Sequence, residues 1–332
     1  MFKSTTLSLR STVHAKGILS IFVLFHHINQ FLSIFDGTFI DLFLNQLGYL
    51  SVAAFLFFSG YGLSEQTKKR DHYTKEMLQK RILPLYLIYW ITSLIYLFMM
   101  VITQTPIYLS TIIKNFTFGG TVIRNGWYFQ CQLIMYIIFY LSYRFGKSHN
   151  IRMVLLCCLL SVYIGLCLSL RLEPMWYQTS PCFLLGVLWS NAGNVLNKYI
   201  HPITISSAVV VFGISFLISK ILTDFIWISI ILKMISALTF AALNAVFWAS
   251  QNHHPYALFS ALLDSLGKYS AEVYLFHGLS LMLFRGHCMY VENDLLFIVL
   301  VVSLTFMLAV IFHALFKSIT ETVKSHASLP GV

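Results

Sequence analysis

The chain has 332 residues, of which 58% are hydrophobic and 10% charged, with a mean hydropathy of +0.77. Soluble domains carry roughly 25% charged residues, so this composition excludes a soluble globular protein and points to an all-α, polytopic transmembrane helical bundle. The formal net charge of +10 fits basic loops at a membrane face better than a nucleic-acid surface, and no stretch alternates with the period of a membrane β-barrel.

A spanning helix needs about 20 largely apolar residues. Ten segments qualify: 17–35, 48–64, 82–103, 127–145, 153–170, 176–192, 203–221, 225–248, 269–286 and 295–316. The N-terminal MFKSTTLSLRSTVHAKG is polar. The apolar run after it is too long for a signal-peptide core and lacks a small-residue cleavage pattern, so it reads as a retained span. Lysine and arginine concentrate in alternate loops. Clusters such as Lys68-Lys69-Arg70 and Lys80-Arg81 on one side outweigh Lys114, Arg124, Arg171, Lys220 and Arg285 on the other. That asymmetry predicts ten spans with both termini cytoplasmic. No repeat, linker or appended soluble domain interrupts residues 1–332, which read as one module.

The first span carries Lys16-Gly17 at its start and His26-His27 at its middle. A buried imidazole is costly unless it faces a cavity or a partner, which makes it a functional candidate. Eleven residues at about 100° each set Lys16 and His27 within roughly 20° on one helix face, about 16 Å apart along the axis. His26 points about 80° away and is the weaker candidate. In the second span, FLFFSGYGL over residues 55–63 supplies small residues that permit close helix packing. Ser59 and Tyr61 also bring hydroxyls. Lys68-Lys69-Arg70 reads as a membrane-face anchor. Lys80 and Arg81, next to Pro84, could instead grip a phosphate-rich donor such as an acyl-coenzyme A.

Trp127 and Tyr128 open the fourth span, as an interfacial aromatic belt or as a stacking surface for a sugar ring. The ninth span buries Ser270, Glu272, Tyr274 and His277. Glu272 and the mid-span Lys233 are expected to neutralise one another. His277 lies five residues past Glu272 and so on a different face. Six scattered cysteines, Cys131, Cys157, Cys158, Cys167, Cys182 and Cys288, have no metal-ligand spacing and read as small hydrophobes. His253-His254 lacks a third ligand and reads as a solvated loop pair. No metal is expected.

Taken in order, these pieces resemble the acyltransferase 3 family, integral-membrane O-acyltransferases that decorate cell-surface glycans. The resemblance runs from residue 16 to about 280. It rests on Lys16, ten intervening residues and His27; on Phe55 to Tyr61; on Arg81-Ile82-Leu83-Pro84; on Trp127; and on Ser270, Tyr274, Leu275 and His277. Two departures stand out. Leu78 replaces the first arginine of the third-span element, with Lys80 nearby, and Ser51-Val52-Ala53 replaces a Gly-Val-Asp.

The resemblance implies a multi-pass enzyme of the inner (cytoplasmic) membrane. It would move an acetyl or other acyl group from cytoplasmic acetyl-CoA, a co-substrate and not a bound cofactor, to a hydroxyl of a polysaccharide or lipid-linked sugar. His27 would be the general base or a transient acyl carrier; the ordinary imidazole pKa of about 6.5 suits both. Lys16, Lys80 and Arg81 would hold donor phosphates. Ser59, Tyr61, Glu272 and His277 would line the acyl path or orient His27, and Trp127 and Tyr128 would meet the acceptor. The partners would be the acyl-CoA, the glycan and membrane lipids, with no nucleic acid. The rival readings are a ten-span transporter or flippase with His27, Lys233 and Glu272 as a proton relay, and a non-catalytic subunit whose buried polar residues only pack.

Overall fold

A computed structural model describes residues 6–32, 35–70, 72–251, 257–286 and 289–326. His253, His254 and Cys288 lie outside the described residues. Of the described residues 83% are helical and none lies in a strand. In order the helices are α1 (Leu9–Asn29), α2 (Phe39–Lys69), α3 (Tyr73–Met77), a π turn (Leu78–Ile82), α4 (Leu83–Ile102), α5 (Leu109–Phe116), α6 (Trp127–Phe145), α7 (His149–Ser169), a 3-10 turn (Pro174–Trp176), α8 (Pro181–Tyr199), α9 (Pro202–Ile221), α10 (Ile226–Ser250), α11 (Ala257–Lys268), α12 (Ser270–Phe284) and α13 (Asp294–His326).

Six helical stretches among the described residues are long and apolar enough to cross a membrane: Phe39–Lys69, Tyr73–Ile102, His149–Ser169, Pro202–Ile221, Ile226–Ser250 and Asp294–Val323. Their outer faces carry large apolar side chains such as Phe98, Leu217, Ile231 and Val310, all more than half exposed. A soluble protein does not leave so much apolar area open; hydrocarbon is the medium that tolerates it. Of the expected spans, 127–145 coincides with α6. The expected 17–35 gives way to a helix starting at Leu9 and ending at Asn29, and the expected 176–192 to α8, which starts at Ser180-Pro181. The expected 269–286 is a 15-residue helix, α12, short of the length a bilayer requires.

The chain forms two compact units, each assembled from separated stretches. The first comprises residues 1–19, 49–71 and 153–268. Here α9 and α10 form a helical hairpin that packs on α8. Glycine sets the helix spacing. A Cβ on Gly60 of α2 would lie 2.1 Å from the Phe183 carbonyl oxygen of α8, and one on Gly186 would lie 2.0 Å from the Phe57 carbonyl oxygen. The two backbones touch through glycines on both sides, the packing that small residues allow. Gly62, next in the same sequence run, has nothing near its missing side chain and takes no part. Gly17 of α1 and Gly267 of α11 make a second such contact, with Gly267 against the Val13 carbonyl. Beside it Arg10 and His14 of α1 reach Asp264 of α11 at 2.8 and 2.7 Å. The Arg10 hydrogen bond, more than any other influence, holds the Asp264 carboxyl below its ordinary range, with His14 adding to it.

The second unit comprises residues 20–48, 72–152 and 269–332. Its frame is the α12–α13 pair, with α4 packed on α13. The α12–α13 turn is held by Arg285, whose side chain is 3% exposed. Its guanidinium donates to the Phe31, Val291 and Glu292 carbonyls and pairs with Asp294 at 2.5 Å. It also lies over the Phe297 ring. A buried charge needs this degree of satisfaction to be tolerated.

Candidate active site

Within the second unit the C-terminal half of α1 brings His26 and His27 against α12. The His27 and His277 rings stack, with centroids 4.9 Å apart and planes at 15°. His26 meets His27 edge-on at 4.6 Å. Gly48 of α2 makes room for it: a Cβ there would fall 2.3 Å from His26 Cδ2.

The hydrogen bonds fix which ring nitrogens carry protons. His26 Nδ1 is 2.9 Å from the Leu44 carbonyl oxygen. A carbonyl only accepts, so this nitrogen is the donor and Nε2 carries the lone pair. That lone pair accepts from Gln30 Nε2 at 3.3 Å. The same amide presents Oε1 to His27 Nδ1 at 3.1 Å, so His27 Nδ1 also donates. His27 Nε2 is left as a lone pair with no hydrogen-bond partner among the described residues. His277 arrives at the same state by another route. Its Nδ1 donates to the Tyr274 carbonyl at 2.7 Å, and its Nε2, buried, has no partner among the described residues. Native structures rarely leave such an atom unsatisfied without a reason. Two neutral imidazoles thus present bare lone pairs side by side.

The α5–α6 loop closes on this pair. Tyr274 donates its hydroxyl to the Asn125 carbonyl at 2.7 Å, and Tyr96 donates to the Leu275 carbonyl at 2.9 Å. The Tyr274 ring stands edge-on to His277 at 5.5 Å and to Tyr128 at 5.1 Å. Arg124 reaches in from the loop. Its guanidinium lies 4.8 Å from the Phe31 ring centre, and its charge is near enough to act on both His27 and His277.

The other candidates fall as follows. Tyr128 is buried in this unit's core and Trp127, the first residue of α6, is half-buried. Lys80 and Arg81 sit on the π turn, a rare wide turn that is enriched at functional sites. Lys80 pairs with Glu76 at 3.0 Å. Arg81 lies near the Tyr73 and Tyr136 hydroxyls. Glu272, for which Lys233 was the expected partner, is hydrogen-bonded to His313 of α13 at 2.9 Å. Lys233 is half-buried in the first unit, where its charge acts on Lys220.

Also in the first unit are Lys16, half-buried on the unbroken helix α1; Ser59, buried beside the Gly60 contact; and Tyr61, whose hydroxyl accepts from the Leu7 amide at 3.1 Å. Tyr61 lines a polar cavity of about 250 Å³ with Glu65, Lys68, Trp189 and Ser190. Lys68, read from sequence as an anchor, is occupied there: it donates to Glu65 at 2.7 Å and to the Ser190 hydroxyl and carbonyl at 2.6 Å each. Sequence reasoning missed Gln30, Arg124 and His313. Gln30 alone left a signal, at i+3 from His27 and i+4 from His26.

A family model described as an acyltransferase domain (Acyl_transf_3) matches residues 14–314, nearly the whole chain. No curated protein and no solved structure matches. The matched stretch takes in both histidines of the stack, the π turn and the α5–α6 loop, and the protein therefore belongs to the acyltransferase 3 family.

Proposed function

We propose that the protein is a membrane O-acyltransferase that moves an acetyl group from cytoplasmic acetyl-CoA to a hydroxyl of a surface polysaccharide or lipid-linked sugar. In this reading about ten helical segments lie within the inner membrane, with both termini cytoplasmic. The observation that carries it is the bare Nε2 of His27, held as a lone pair by the Gln30 bridge. A general base needs such an atom. The acceptor hydroxyl gives its proton to His27 Nε2 as its oxygen attacks the thioester carbonyl. The C–O bond forms, the C–S bond breaks, and the leaving thiolate takes the proton back from the imidazolium.

His277 orients His27. Its ring covers one face of the base, and its own lone pair offers a second acceptor for the incoming hydroxyl. Lys16, Lys80 and Arg81 hold the donor's phosphates. Ser59, Tyr61 and Glu272 belong to the acyl path or its support, and Trp127 and Tyr128 face the acceptor.

Replacing His27 by Ala tests the reading. Transfer of labelled acetyl groups should vanish while protein level and membrane insertion persist, and unchanged transfer would refute the assignment. Mass spectra of surface glycans from cells with and without the gene should differ by the mass of one acyl group.

A further inference from the structure

Two arginines flank the contact between Phe31 and Phe297, whose ring centres are 5.9 Å apart, and they are treated differently by the fold. Arg285 lies over Phe297 and is neutralised by Asp294. Arg124 lies over Phe31, yet its guanidinium has neither a hydrogen-bond acceptor nor a carboxylate partner among the described residues. A half-buried guanidinium whose five donors meet no acceptor among the described residues can take one from a ligand.

The loop that carries it is built to hold it in place. Asn115 Oδ1 accepts from the Val122 amide at 3.0 Å and from the Tyr89 hydroxyl at 2.7 Å. Gln130 Nε2 donates to the Gly120 carbonyl at 2.7 Å and the Asn115 carbonyl at 2.9 Å. Asn125 takes a left-handed backbone, φ 61°, which asparagine tolerates better than most residues. Its carbonyl accepts from Tyr274. Gly278, the residue after His277, completes the fit: a Cβ there would meet the Arg124 carbonyl oxygen at 2.5 Å and the Arg124 Cβ at 2.9 Å. The missing side chain lets Arg124 sit directly against the turn of α12 that bears His277.

We propose that Arg124 is a further catalytic residue of this reaction, donating to the oxyanion that develops on the acyl carbonyl as His27 takes the acceptor's proton. This rests on the acyl-transfer reading above. The attacked carbon must lie within bonding distance of the oxygen that His27 deprotonates, so the negative charge appears beside the stacked imidazoles, where Arg124's charge already acts. The oxyanion gains the guanidinium hydrogen bonds as the C–O bond forms and releases them when the C–S bond breaks. No proton leaves the arginine. Placed charge that meets the transition state more strongly than the substrate raises turnover instead of affinity.

The test uses the full chain in inside-out membrane vesicles carrying their own glycans, with radiolabelled acetyl-CoA varied. Arg124→Gln should lower turnover about 100-fold, the range for loss of one oxyanion donor, with KM for acetyl-CoA within about threefold. Arg124→Lys should fall between the two, because it keeps charge but loses the fork. Added guanidinium ion should restore part of the turnover of Arg124→Ala. Gly278→Ala, which displaces the arginine without changing its charge, should lower turnover in the same way. Unchanged turnover in Arg124→Gln, a loss confined to KM, or an Arg124→Ala protein that guanidinium does not rescue would overturn the proposal. If wild-type vesicles themselves transfer no label, the acyl-transfer reading falls first and this inference with it. If wild type transfers label and Arg124→Gln matches it, only this inference falls.

Discussion

Replacing Gln30 by Met probes the tautomer chain directly. Methionine keeps the length of the side chain, and residue 30 is exposed, so the change removes hydrogen bonds without cutting into the core. Two bonds are lost. The one to His27 Nδ1 at 3.1 Å is of ordinary length, and the one to His26 Nε2 at 3.3 Å is long and worth less. A net hydrogen bond contributes about 0.5–1.5 kcal/mol. Taking roughly one bond's worth, the fraction of His27 held with a bare Nε2 drops, and turnover should fall about five- to tenfold at 1.36 kcal/mol per decade. Deleting the base itself should cost about 10²–10⁴-fold. Single-turnover transfer from labelled acetyl-CoA in lipid nanodiscs measures the rate. Nitrogen-15 spectra of labelled histidine report the tautomer. A rate within about twofold of wild type, or an unaltered His27 tautomer, would show that Gln30 does not set the base.

Two further predictions concern the first unit. Gly60→Ala should push α2 and α8 apart, because the new methyl would sit 2.1 Å from a backbone oxygen that cannot rotate away. Overpacking of this kind costs about 1–3 kcal/mol, seen as a clear loss of thermal stability in detergent, whereas Gly62→Ala, with open space around it, should be neutral. Asp264→Asn should loosen the joint between α1 and α11. The wild-type carboxyl is held below its ordinary value of 3.8 by Arg10 first and His14 next. Its contribution is therefore present above that value and lost as pH falls through the depressed one. Thermal unfolding of wild type and Asp264→Asn should differ at neutral pH and converge as the pH falls through the depressed value; a gap that persists in acid below it would contradict this.

Hydropathy found the helices where lipid alone sets their limits. The α6 boundaries were legible because Gly126 and Gly146 bracket an apolar run. Where polar residues are helical for tertiary reasons, the reading stopped short. Residues 9–15 continue α1 toward the N-terminus because Arg10 and His14 find Asp264 across 250 residues or more. The start of α2 holds Asp41 and Asn45, which look like loop residues until Asn29 is seen to bond both. The start of α8 was legible and overlooked, since Ser180-Pro181 is an ordinary helix opening. His27 and His277 both stand out in the sequence as candidates, but their stacking pairs residues on different helices, and no local pattern encodes it. Arg124 appeared only as one loop charge among several. What marks it is the absence of a hydrogen-bond acceptor or carboxylate among the described residues, a property of the folded chain alone.

The short helix α12 explains why so many polar residues gather in one apolar segment. It buries every side chain from Glu272 to Met282, and a helix that is covered all round lies inside protein, not against lipid. Polar groups there answer to protein partners. Ser280 accepts from Thr305 of α13 at 3.0 Å, Glu272 takes His313, and Tyr274 takes the Asn125 carbonyl. Each of these ties α12 to a neighbour and holds its rotation. His277 is fixed the same way through Nδ1, by its own helix, and only its other nitrogen is left over. A helix whose remaining polar groups are so engaged holds that ring at a defined angle, and the ring it meets is His27. The bonds that secure α12 thus set the geometry of the proposed base from behind. A weakened Tyr274–Asn125 or Tyr96–Leu275 contact would reach the chemistry through the angle of the stacked rings, with no change in the groups that react.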